Sequence, residues 1–333
     1  MSNAALSQKF RVASCVATLM VVLRHSYTIA AFYPAGDYPQ WLFSFEWGTL
    51  FWTDVAVPFF FFASGFFFMR SDYVANGTYF AMLRKKARTL LLPFVIWNLV
   101  GGCVLCVYDS EGNLGDSFAS CLHNFFYSQW YGPLWYVRDL MLLMLAFPLY
   151  GWLYRRWFQV ALVGVILYLM VFRWGPCDIY LLNAEGILFF LLGGLMQHHQ
   201  GVLAWRGRRA LAIILLLVWL AFSFFITSWD RDIHRLSLLV GMPAFWLALD
   251  LIPQRVQSIC VRLAPYTFLV YVTHFYLLKA LKVTLAWLCP GSAGVALATF
   301  LILPVVVVAV LVFIGQKWRR LLPRFYSFCV GGR

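Results

Sequence analysis

Long apolar runs separated by short polar stretches make up most of the chain, near residues 14–32, 50–69, 89–108, 134–153, 157–172, 179–197, 210–228, 235–252, 266–286 and 293–315. Each approaches the roughly 20 helical residues that cross a bilayer core, and the run at 157–172 is the shortest. In lipid every backbone N–H and C=O needs a partner within the protein, so spanning structures are helices or closed barrels. Barrel strands alternate apolar and polar residues over about ten positions, whereas these runs are continuous. The pattern predicts an all-α fold: a polytopic membrane protein with about ten transmembrane helices and a single transmembrane domain over residues 1–333. No separate soluble domain and no internal repeat is visible.

Composition agrees, with 63% of residues hydrophobic and 12% charged, against about a quarter charged in soluble chains. The net charge of +13 raises nucleic acid as a partner, but its distribution says otherwise. With the N-terminus cytoplasmic, all of the 26 Lys and Arg fall on cytoplasmic flanks except Arg24, Arg138, Arg173, Arg231, Arg235, Lys279 and Lys282. The positive-inside rule accounts for that bias. The opposite loops carry Asp37, Glu46, Asp109, Glu111, Asp116, Asp178, Asp230 and Asp232. Both termini are therefore predicted to be cytoplasmic, in a bacterial inner membrane. The first run has the apolar stretch of a signal peptide, but Arg24 and His25 interrupt it and no small-residue cleavage site follows, so it is read as retained.

The cysteines have no zinc-like spacing, and no metal is expected. Cys121, Cys177 and Cys289 fall in predicted outer loops where a disulfide is chemically possible, and their odd number leaves the pairing open.

An ionisable side chain in the middle of a span is costly, by about 2.5–3.5 kcal/mol on insertion scales. Those present are Arg24 and His25 in the first span, Asp54 in the second, Arg138 and Asp139 in the fourth, Glu185 in the sixth and His274 in the ninth. At about 1.5 Å per residue, His25 lies roughly 16 Å from the start of its helix, near the midplane, and His274 is similarly deep. Asp54, Arg138, Asp139 and Glu185 fall in the outer halves of their helices. One reading makes each of them a polar contact that locks helix packing, with the arginines snorkelling to headgroups. The other makes a midplane imidazole among carboxylates a proton acceptor near neutral pH.

"RKKARTLLLP" (Arg84–Pro93) puts four cations at the cytoplasmic mouth of the third span. It is an orientation signal, and such a cluster also suits the phosphates of a cytoplasmic donor. In "FFFFASGFFF", the small pair Ser64 and Gly65 lets another backbone or a thin ligand approach closely. His198 and His199 are expected to be solvated, and Lys279 and Lys282 to anchor the outer end of the ninth span.

Five stretches occurring in order resemble the integral-membrane acyltransferase-three family, whose members O-acylate glycans and other molecules: "SCVATLMVVLRHS", "VPFFFFASGFFF", "RTLLLPFVIWN", "GPLWYVRDL" and "LVYVTHFYLL". The resemblance runs from about Arg11 to His274. It implies a catalytic histidine at His25. The family's basic residue eleven positions earlier falls on Ser14, with Arg11 one turn nearer the cytoplasm. Its aspartate six positions before the serine of the phenylalanine stretch falls on Pro58, with Asp54 one turn earlier. The basic element before the third helix is matched by Lys86 and Arg88, "PLWYVRDL" offers Trp135, Tyr136 and Arg138, and "YVTH" offers Tyr271 and His274. The hydrolase-like extracytoplasmic domain of some members is not expected here.

The resulting expectation is acyl transfer, most simply of acetyl, from acyl-CoA to a hydroxyl of a glycan or lipid-linked sugar. His25 is the general base, oriented by Asp54 or Glu185. Arg24, Arg138, Tyr136 or Tyr271 donates to the oxyanion, and Lys85, Lys86 and Arg88, with Arg11, Ser64 and Gly65, hold the donor. A proton-coupled transporter or flippase using His25, Asp54, Glu185 and His274 as a relay is the rival reading.

Overall fold

The structure, a computed structural model, describes residues 3–107, 112–154, 160, 163–164, 166–167, 182–204, 209–225 and 231–332. Most of the expected fifth span, Cys177, and the loop acids Asp109, Glu111, Asp178 and Asp230 lie outside the described residues. Among the described residues there is no strand. The chain runs through α1 (Asn3–Arg24), α2 (Ile29–Phe32), α3 (Gln40–Thr53), α4 (Ala56–Phe68), α5 (Tyr79–Lys86), a π-helical turn (Ala87–Leu91), α6 (Leu92–Val107), α7 (Phe118–Phe126), α8 (Trp135–Leu145) and α9 (Phe147–Tyr154). It continues through α10 (Ala184–His198), α11 (Gln200–Ala204), α12 (Arg209–Phe225), α13 (Arg231–Ala248), α14 (Gln254–Leu263), α15 (Thr267–Leu288), α16 (Ala293–Leu321) and α17 (Pro323–Val330).

Among the described residues, five helical stretches are long and apolar enough to cross a membrane: Ala4–Phe32, Gln40–Phe68, Tyr79–Val107, Gln254–Leu288 and Ala293–Leu321. Arg209–Phe222 and Ser237–Leu251 are shorter apolar helices. The protein is an integral membrane protein. Several helices extend past their apolar runs. The second starts at Gln40 rather than near 50, because α3 carries the polar residues Glu46 and Thr49 inward, where both are buried. The third starts at Tyr79, ahead of the basic cluster. The expected fourth span is two helices, α8 and α9, meeting at Ala146.

Helix α1 is the centre of the bundle, packed against α3, α4, α14, α15 and α16. Its buried residues Leu6, Phe10, Ala13, Ala17 and Met20 recur every three or four positions, the spacing of one helix face. Ala13 and Ala17 are fully buried, and small residues at such a seam let backbones approach. The tightest pairing is α4 with α10. A Cβ on Gly65 would sit 1.8 Å from the Phe190 carbonyl oxygen, and one on Gly193 would sit 1.9 Å from that of Phe62. Only glycine permits backbones this close, so Gly65 serves helix packing rather than a ligand.

Two long spans are interrupted. Between α3 and α4 the chain turns at Asp54–Val55, four residues before Pro58, which has no N–H to return to the Asp54 carbonyl. The first span leaves α1 at His25 and re-enters helix only at Ile29.

Candidate active site

The break after α1 is held by groups from other helices. The His25 N–H lies 3.3 Å from the Val21 carbonyl oxygen and 3.2 Å from that of Val22, and the Ser26 N–H closes on Leu23 at 3.0 Å. Beyond this, helical partners run out, and polar backbone at membrane depth has to be satisfied by protein. Glu46 of α3, fully buried, accepts from the Thr28 N–H at 2.9 Å and also from the Thr28 hydroxyl. Lys282 of α15 donates to the carbonyls of His25 at 3.3 Å and Tyr27 at 2.7 Å. The Ser26 hydroxyl reaches Leu23 O at 2.7 Å and lies 3.2 Å from Phe300 O of α16. Lys282 thus fixes the loop that carries His25, instead of anchoring a helix end as its position near the outer end of a span suggested. Glu46, expected in an outer loop, is the second support.

This scaffold sets the His25 ring 5.3 Å from that of His274, tilted by 46°, and 5.2 Å from Phe275, nearly edge-on at 87°. His274 is fully buried on α15. Its Nδ1 faces the carbonyls of Val270 at 3.1 Å and Tyr271 at 2.8 Å. Carbonyls only accept, so Nδ1 carries the proton and Nε2 keeps its lone pair. That Nε2 has no hydrogen-bond partner among the described residues. The Tyr271 ring lies 6.4 Å from that of His274 and 5.9 Å from that of Tyr136.

The acids do not join this histidine pair. Asp54 accepts from Arg24 Nε at 2.6 Å, and its other oxygen lies 3.4 Å from His234 Nε2. Glu185 shares with Asp54 and His234 a small cavity of 130 Å³, also lined by Trp135 and Asn183. The expectation had Asp54 or Glu185 orienting His25; the geometry instead puts Asp54 on Arg24 and Glu185 in the cavity beside it. His234 of α13 is the participant that the sequence did not suggest, since it sits beside the charged residues that open its helix and reads as an interfacial residue. Arg138 gives two N–H groups to Asp139 Oδ1, at 2.7 and 2.9 Å, while Asp139 Oδ2 accepts from the Asn183 N–H at 3.0 Å. Arg138 and Asp139 thus form a closed pair that meets the start of α10.

A second cavity, of 320 Å³, brings together Ser14 and Thr18 of α1, Ser64 of α4, Lys86, Tyr136 and Tyr271. Ser64 Oγ lies 3.0 Å from the Tyr136 hydroxyl, which also donates to Phe60 O at 3.2 Å. The Tyr271 hydroxyl donates to the Pro133 carbonyl. Lys86 enters this cavity at the π-helical turn, where the Leu92 N–H returns to Ala87 O. Pro93 lacks the N–H that would serve Thr89 in an ordinary helix, and π turns of this kind recur at functional sites. Of the other expected donor-binding cations, Arg11, Lys85 and Arg88 are exposed and do not line this cavity. Ser14 does line it, and its hydroxyl is turned back to Phe10 O at 2.9 Å. Cys121 and Cys289 are both free thiols.

Fold and site together define a polytopic membrane protein with a histidine pair at a helix break, flanked by a hydroxyl-lined cavity. The chain belongs to the acyltransferase-three family, whose acyltransferase domain matches residues 12–314. It is 26% identical over 331 positions, covering 89% of this chain and 86% of the relative, to the "Succinoglycan biosynthesis protein ExoH" of Rhizobium meliloti (strain 1021). No solved structure matches the chain.

Proposed function

We propose that this protein moves an acyl group, most simply acetyl, from acyl-CoA to a hydroxyl of a glycan or lipid-linked sugar, with His25 as general base. The observation that carries the reading is the His25–His274 pair at a rigidly supported helix break, in a chain of an acyltransferase family. Succinoglycan is a polysaccharide, and the relative named for its biosynthesis supports a glycan acceptor.

In this mechanism the acceptor oxygen attacks the thioester carbonyl while His25 takes its proton. The tetrahedral oxyanion then collapses, the carbon–sulfur bond breaks, and the imidazolium returns the proton to the leaving thiolate, giving the ester and free coenzyme A. Tyr136 and Tyr271 are the proposed oxyanion donors, each turning its hydroxyl from the carbonyl that now accepts it, and Arg24, whose Nε stays on Asp54, assists them. His274 stays neutral, its Nε2 lone pair available to a proton on the His25 ring. The thioester arm lies in the 320 Å³ cavity between Ser64, Tyr136 and Tyr271, and Lys86 holds a donor phosphate at its mouth. The acceptor approaches from the 130 Å³ cavity around Asp54 and Glu185. With about ten spans and both termini cytoplasmic, the donor enters from the cytoplasm and the acceptor from outside, so acylation crosses the membrane.

Interrupted helices facing each other are also a feature of transporters, and donor binding separates the two readings. The test is acetyl transfer in proteoliposomes, alongside acetyl-CoA binding, for the wild type and for His25→Ala. The proposal expects saturable binding in both and transfer only in the wild type. Transfer at the normal rate by a folded His25→Ala variant refutes the general base. Absence of acetyl-CoA binding by the folded wild type refutes the donor.

A further inference from the structure

Two further cavities lie at the end of the bundle where α1 begins. One, of 540 Å³, is a polar cleft lined by Gln8, Lys9, Arg209, Asp250 and Gln254. The other, of 420 Å³, is aliphatic and aromatic throughout, with Phe62, Leu211, Leu215, Met242 and Trp246 in its wall. The same two segments build both. Helix α12 gives Arg209 to the cleft and Leu211 and Leu215 to the apolar cavity, while the end of α13 gives Trp246 to the cavity and the residues just after it give Asp250 to the cleft. Lys9 joins the two: its Nζ bonds Asp250 Oδ2 at 2.8 Å and lies 4.6 Å from the centre of the Trp246 ring.

Neither cavity belongs to the acyl-transfer site. Phe59 and Phe62 of α4 line the apolar cavity, whereas Phe60, Ala63 and Ser64 of the same helix line the cavity of Tyr136 and Tyr271. Arg209 opens an apolar helix, so the cleft lies at headgroup level and the apolar cavity within the adjoining leaflet. A water-soluble ligand gains nothing from the apolar half, and a hydrocarbon gains nothing from the polar half. An amphiphile fits both. Among the described residues the cleft sets two cations, Lys9 and Arg209, against one carboxylate, Asp250, which favours an anionic headgroup. The Arg209 guanidinium offers the planar fork that binds phosphate through two bonds.

We propose that these two cavities together bind one anionic glycerophospholipid from the leaflet on the N-terminal side. Its phosphate sits between Arg209 and Lys9, and one acyl chain fills the space around Met242 and Trp246. The lipid ties α12 and α13 to the start of α1 without entering the catalytic path.

The experiment is native mass spectrometry of the protein released by mild detergent from nanodiscs of equal phosphatidylglycerol and phosphatidylcholine. One retained phosphatidylglycerol per chain is expected, enriched about tenfold or more over phosphatidylcholine, as a charge-assisted pair to a phosphate implies. Arg209→Glu, at an exposed position, and Met242→Trp, which fills the cavity, each lower that retention about tenfold. Equal retention of the two lipids overturns the proposal. So does phosphatidylglycerol retention that survives Arg209→Glu, because the lipid is then part of the general annulus. If Met242→Trp does not fold, Arg209→Glu decides the matter alone.

Discussion

Lys282→Met tests how the loop that carries His25 is held. Lys282 gives two hydrogen bonds to the loop, at 2.7 Å to Tyr27 O and 3.3 Å to His25 O, and the longer one lies beyond the usual range for N–H···O contacts. A bond from a charged donor contributes about 1.5–3 kcal/mol, so losing one strong and one weak bond should destabilise the protein by about 2–4 kcal/mol. Methionine keeps the unbranched apolar stem as far as Cε, so the loss is confined to the ammonium. The loop's other support, Glu46 on Thr28, remains, and the bundle should still fold. What changes is the placement of His25, where an error of about 1 Å costs roughly 100-fold in rate. Initial rates of acetyl transfer at saturating donor should therefore fall by about 100-fold while the donor's KM stays near the wild-type value. Lys282→Arg should recover part of the rate. Lys279→Met, on the same helix, is the control and should transfer normally. Melting in detergent reports the stability loss independently. Wild-type transfer by a Lys282→Met protein with a lowered melting point would refute the argument, since the loop would then not need this support to place His25.

His274→Phe keeps a ring beside His25 but removes the Nε2 lone pair, and transfer should fall by about 100-fold or more; near-normal transfer would make His274 a packing residue. Lys86→Ala, at the wall of the 320 Å³ cavity, should raise the donor's KM about tenfold, whereas Lys85→Ala and Arg11→Ala, both exposed, should leave it nearly unchanged at matched salt. Gly65→Ala places a methyl 1.8 Å from a backbone oxygen, and should lower stability by about 3 kcal/mol or more, measured by thermal unfolding in detergent. Gly201→Ala, with nothing within 4 Å, should be neutral in the same assay.

Position along the membrane normal was legible in the sequence, and azimuth was not. Hydropathy placed His25 and His274 at similar depth, and their rings meet. The small residues of the phenylalanine run pointed to a close approach, and its partner is the α10 backbone. Lys86 and Ser64, expected with the donor, line one cavity with Tyr136 and Tyr271. Which acid meets which base depends on how non-neighbouring helices are rotated, and a single span carries no such information. Asp54 therefore went to His25 in the expectation and is found on Arg24. Glu46 was read as an outer-loop acid and Lys282 as an anchor of the outer end of the ninth span. Each in fact serves backbone groups freed by the break after α1. The π-helical turn could have been suspected from Pro93, whose missing N–H unsettles the turn before it.

The two interruptions account for the cluster of polar groups around His25. Irregular backbone at membrane depth persists only where protein or a cavity satisfies it, and here α1 ends at Arg24 opposite the Asp54 turn of the next long span. The Arg24–Asp54 ion pair at 2.6 Å joins the two interruptions, and His234, 3.4 Å from Asp54, adds α13 to the junction. An unbroken α1 would keep the His25 and Tyr27 carbonyls inside its own ladder and take from Lys282 the two acceptors it now serves. Glu46 and Lys282 thus answer backbone groups freed by the break, and Asp54 answers the charge of Arg24. The backbone of His25 is held by Lys282, while its ring packs beside those of His274 and Phe275.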